Sequence, residues 1–168
     1  MYTLPHLNTL LEYKNPRVLK LYKQNYPHNK LSAEQAFEEV LKYLWLTIKL
    51  FFDKKNNPLN TDLPNDCVML RSMQEVDEMW HEFILFTEDY STFCQTYFGN
   101  YLHHMPNIFD NAPVPKEEVE NEVAKLLPYI YDHLGEQTMR IWFASYLTDQ
   151  TQEMLKKAPK RRFAIHGF

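Results

Sequence analysis

Hydrophobic residues recur at three- and four-residue spacing along most of this chain, the period of one face of an α-helix. The clearest run is Phe37, Val40, Leu41, Leu44, Trp45, Ile48, Phe51 and Phe52. It follows Ser32 and Gln35, a capping-box pair that satisfies free N–H groups at a helix start. Upstream, Asn15 and Pro16 form an N-cap and first-position pair, and Val18, Leu19, Tyr22 and Tyr26 share a face until Pro27 stops the run. Downstream, Ser72 and Glu75 read as a second capping box. The helix they open turns Val76, Met79, Trp80 and Phe83 to the core and ends near Thr87. A further helix from about Asp89 carries Tyr90, Phe93, Cys94, Tyr97 and Phe98, and Gly99 is placed to terminate it in a left-handed conformation.

Beyond Pro113 and Pro115, the acidic pair Glu117 and Glu118 suits the positive end of a helix. The stripe Val119, Val123, Leu126, Leu127, Ile130 and Tyr131 then continues up to Gly135, with Pro128 inside it predicting a kink or a split. A last amphipathic segment covers residues 138–157. Residues 53–70, which include KKNNP, read as a long loop of the kind that is often functional. The expected architecture is all-α: a compact single-domain bundle of about five to seven helices over residues 1–158, followed by a basic tail, 159–168.

Composition supports this reading and narrows the function classes. The 168 residues suffice for one domain with a real core, and only three glycines argue against a turn-rich sandwich or barrel. A net charge of −4 and a pI near 6.0 give no global attraction to nucleic acid or anionic membrane. The basic tail reads as a solvated terminus, so neither kind of partner is expected. The most apolar stretch, residues 43–52, includes Lys49 and is well short of the roughly 20 residues that span a bilayer. Two cysteines cannot build a disulfide framework, and the N-terminus lacks the layout of a secretory signal, so a cytoplasmic location is expected.

Candidate chemistry gathers in DEMWHEFILFTEDYSTFCQTYFGNYLHHMP, which holds three of the seven histidines and one of the two cysteines. Imidazole, thiolate and carboxylate bind transition metals and move protons near neutral pH. On a helix Asp77, His81 and Glu88 fall within about 40° of one another, beside the apolar face. Asp77 and His81, at i and i+4, are close enough for the carboxylate to orient the imidazole. The same pair is also common as an ordinary helix flank. Cys94 lies on an apolar face, where a buried thiol packs well, and would be a ligand only with histidines beside it. Adjacent histidines in an extended segment point to opposite sides, so one of His103 and His104 is expected to face inward. Nucleotide-binding, zincin, nucleophile-elbow and Cys-x-x-Cys signatures are all missing.

The combination Val76-Asp77, Trp80-His81, Tyr90, Phe93-Cys94, Gly99 and Leu102-His103-His104 resembles the glycine-rich domain-containing protein-like family. The likeness continues more weakly at LLPYIYDHLGEQTMRIW. It implies that Asp77, His81, Cys94, His103 and His104 belong to one unit. The chain departs from the family in lacking the glycine-rich segment, and it has Phe83 where plant members tend to carry a further histidine.

Two functions are therefore expected to compete. One is a metal-binding domain, with His81, Cys94 and one or both of His103 and His104 as ligands to zinc or iron, Asp77 orienting them, and Glu82 or Glu88 as a spare carboxylate. The other is an interaction module for a protein partner, in which the Trp-His and His-His residues only brace the helices.

Overall fold

The computed structural model describes residues 4–104 and 116–143, apart from the side chains at 71, 116, 118 and 119. Among these residues there are six α-helices and no strand. They are α1 (Leu7–Leu11), α2 (Pro16–Asn25), α3 (Ala33–Asn56), α4 (Gln74–Leu85), α5 (Thr87–Phe98) and α6 (Lys116–Trp142). The all-α expectation holds. The bounds of the basic tail and most of the 138–157 segment lie outside the described residues; within the latter, the helix runs to Trp142.

Local signals start the early helices as their chemistry requires. The Asn15 side chain accepts from the Val18 N–H, with Pro16 at the first helical position. Ser32 and Gln35 close a reciprocal capping box on α3. α3 is the central element and packs against α1, α2, α4 and α6. Its Val40, Leu41, Leu44 and Leu46 are buried, and they join Leu10, Tyr22, Phe83, Phe93 and Trp142 in one continuous apolar cluster. No helix among the described residues is long and apolar enough to cross a membrane.

The structure corrects several local expectations. α3 continues to Asn56 instead of yielding to a loop at Asp53, because Lys49 reaches Asp53 one turn on (2.5 Å) and the Tyr129 hydroxyl donates to the same carboxylate (2.8 Å). Phe51 is 60% exposed, so the core stripe of α3 fades before its end. Tyr131, expected on the core face of α6, is also exposed.

Ser72 and Glu75 do not form a capping box. A 3-10 turn, Arg71–Met73, precedes α4; the Ser72 hydroxyl donates to the Trp142 carbonyl, and Glu75 accepts from the N–H groups of Lys30 and Leu31. Pro128 does not split α6 either. It is exposed, and so is Ala124 one turn earlier, whose carbonyl can be solvated when proline fails to donate to it. The break falls at Gly135, at φ 83° and ψ 175°, a region open to glycine.

Candidate metal centre

α4 supplies half of the site. Val76, Met79, Trp80 and Phe83 are buried, which leaves Asp77 and His81 on the flank beside them. The His81 Nδ1 lies 2.8 Å from the backbone carbonyl of Asp77 and 3.5 Å from its carboxylate Oδ2. A carbonyl oxygen can only accept, so Nδ1 carries the proton. In the neutral ring the lone pair then sits on Nε2, free for a ligand or a proton.

The other half arrives from beyond α5. A single corner residue, Phe86, separates α4 from α5, and the two helices pack together. Gly99 ends α5 at φ 68°, the left-handed C-cap that its sequence position suggests. The chain then returns to α4 through residues 100–104. There His104 places its ring 4.4 Å from the Trp80 ring and 4.4 Å from that of His81. Its Nε2 is 2.8 Å from Asp77 Oδ1.

Asp77, His81 and His104 each present a ligand-capable atom within 4.8 Å of the other two, the one such group found among the described residues. Their side chains are 31%, 52% and 18% exposed, so the group is anchored on the His104 side and open on the His81 side. Two ligands at about 2.0–2.2 Å from zinc lie at most about 4.4 Å apart. Any pair of these atoms that stands farther apart has to close to that distance before an ion is held. Rotation of His81, the most exposed member, can supply that movement. Two imidazoles and one carboxylate with an open side are the donor set of both catalytic zinc and non-haem Fe(II) sites.

The remaining candidates lie elsewhere. Cys94 is fully buried on α5, where burial pushes its thiol up and its contacts are the Leu102 backbone and the Tyr90 hydroxyl. His103 is exposed, its ring against Tyr101 (4.8 Å). Glu88 does not continue the Asp77–His81 stripe, because it sits in the first turn of a separate helix and faces solvent. Glu82 is buried and accepts from the Asn25 side chain (3.0 Å), while its second carboxylate oxygen has no hydrogen-bond partner. His133 lies against Tyr129 (4.5 Å) and is held below the usual histidine range by burial and by Lys49. It is thus poorly suited to complement a helix dipole as a cation.

One contributor was hidden in the apolar pattern. Tyr90 reads as a core residue by spacing, yet its hydroxyl accepts from the Trp80 indole N–H (3.0 Å) and donates to the Leu102 carbonyl (2.7 Å). The available signal was chemical: buried tyrosine and tryptophan must satisfy their polar ends.

The sequence pattern of the UCP032817-like family matches residues 8–123, more than half of the chain and all three clustered residues. The chain belongs to the UCP032817-like family. That description assigns no activity, and it does not carry the glycine-rich name suggested by the motif resemblance. The weaker C-terminal likeness falls outside the matched span. No curated protein and no solved structure matches the chain.

Proposed function

We propose that this member of the UCP032817-like family is a metal-binding helical domain. Asp77, His81 and His104 are its ligands, and zinc or ferrous iron is its ion. The observation that carries the reading is the convergence of two imidazoles and a carboxylate within 4.8 Å, from residues as far apart in sequence as Asp77 and His104. Nitrogen and oxygen donors of this kind favour zinc or iron over magnesium. Cys94 and His103 leave the ligand set, because the first is committed to the core and the second is exposed with its ring on Tyr101. Three ligands leave at least one position for water or a small anion, the arrangement of a reactive site more than of a closed structural one.

The test is isothermal titration of the metal-stripped protein with Zn²⁺ and, anaerobically, with Fe²⁺. One ion per chain is expected, with binding lost in both His81→Ala and His104→Ala and retained in His103→Ala. Absence of saturable binding in the wild-type protein would sink the proposal.

A second reading is favoured by the hydrogen bonding within the group. Asp77 already bonds one ring nitrogen of each histidine, and His104 packs on Trp80, so the cluster can serve as a polar clasp between α4 and residues 100–104. In that case the domain would work through a protein partner, and the same substitutions would lower stability to the same extent with and without chelator.

A further inference from the structure

His104 comes from a segment without regular secondary structure, so something other than a helix ladder must place it. Two neighbours in the core do so. The Tyr90 hydroxyl has one proton and two lone pairs, and it uses the proton on the Leu102 carbonyl (2.7 Å) while accepting from Trp80 Nε1 (3.0 Å). The Tyr90 ring also meets Tyr101 edge-on, with centroids 5.2 Å apart. The Cys94 thiol, one turn along α5, lies against the backbone of the same Leu102. Trp80 in turn forms the surface on which the His104 ring rests, at 4.4 Å. A closed circuit therefore runs from Trp80 to Tyr90, to Leu102, along two residues of chain to His104, and back to Trp80.

We propose that Tyr90 is a positioning residue for the Asp77–His81–His104 centre, holding the segment that bears His104 against Trp80 so that its imidazole reaches Asp77. As a statement about a metal centre this rests on the function proposed above; as a statement about where His104 sits it does not. Cys94 supports the same placement through its contact with the Leu102 backbone.

Tyr90→Phe removes only the hydroxyl and keeps the ring in the core. Leu10→Ala, a cavity in α1, which packs on α3, serves as the control for lost stability alone. The first readout is the His104 ring-proton resonances of the metal-free protein, displaced in the wild type by the current of the Trp80 ring. Tyr90→Phe is expected to return them toward free-histidine values, and Leu10→Ala to leave them in place. The second readout is a Co²⁺ titration followed by visible absorption. Tyr90→Phe is expected to weaken binding about tenfold, the usual effect of losing an outer partner of a ligand, and Leu10→Ala to leave it unchanged.

Unmoved His104 resonances in Tyr90→Phe would overturn the inference, as would moved resonances with wild-type Co²⁺ affinity. Moved resonances in a protein whose wild type takes up no Co²⁺ would uphold the placement of His104 and overturn the metal reading instead. Should Tyr90→Phe fail to fold, Cys94→Ala takes its place. A smaller displacement in the same direction is expected from it, and none would count against the role.

Discussion

Removing metal from the wild-type protein and from His104→Ala separates a metal centre from a polar clasp, because the two predict different dependences on chelator. A ligand that binds only the folded state adds RT ln(1 + [L]/Kd) of stability, about 2.7 kcal/mol at a hundredfold excess of free ion over Kd. For a chain of 168 residues each kcal/mol moves the midpoint by about 2–4 °C. Zinc should thus raise the wild-type midpoint by about 5–11 °C over the same protein in EDTA.

His104→Ala should lose that increment entirely. It should also lose a second contribution that EDTA does not affect. Its hydrogen bond to the Asp77 carboxylate spans 2.8 Å with the side chains 18% and 31% exposed, so solvent reduces its worth to about 1 kcal/mol. The lost contact with Trp80 adds to this. The assay is differential scanning calorimetry of both proteins at matched free Zn²⁺ and in EDTA. Equal midpoints for the wild type in both buffers, or a zinc-induced rise that survives in His104→Ala, would rule out a metal centre held by His104.

Four further outcomes follow from other parts of the molecule. Lys42 reaches both Glu39 (2.8 Å) and Glu38 (2.7 Å), and Glu39 is buried with its carboxyl pushed above the usual range by burial. Lys42→Met should therefore cost about 3 kcal/mol in urea unfolding at pH 7. Because the folded value of Glu39 is raised, its protonated form favours the fold. The stabilisation linked to Glu39 is full below its unfolded value and is lost as pH rises through the folded one, so Glu39→Gln should flatten the stability profile on the alkaline side of that unfolded value. Gly135→Ala should cost about 1–3 kcal/mol from backbone strain alone, since no atom lies near the added methyl group; a neutral result in urea would contradict that conformation. Ser32→Ala should cost about 1 kcal/mol by loss of the α3 cap, and fragment helicity by circular dichroism should fall with it.

Where a helix start depends only on groups within three residues, the chain could be read directly. Asn15 with Pro16, Ser32 with Gln35, and Gly99 after Phe98 all lie where their local chemistry puts them. Ser72 and Glu75 show the limit of such reading. The pattern is the same as that of Ser32 and Gln35, but two backbone amides from residues 30 and 31 occupy the Glu75 carboxylate and the Trp142 carbonyl takes the Ser72 proton. Pro128 shows it from the other side, since whether a proline breaks a helix depends on whether the orphaned carbonyl can reach water. That is a property of the folded surface.

The helical class, the capped ends of the early helices and the pairing of Asp77 with His81 were legible in the order of residues, because each follows from the 3.6-residue period and from groups one turn apart. Which other residue joins that pair depends on how the helices fold together. His104 meets Asp77 across 27 positions of chain, and it does so because α5 folds back on α4, Gly99 reverses the path and Tyr90 ties down Leu102. Cys94 stood as near in the sequence and carried the more familiar metal-binding atom. The core holds its side chain instead, fully buried on the apolar face of α5 with the thiol against the Leu102 backbone.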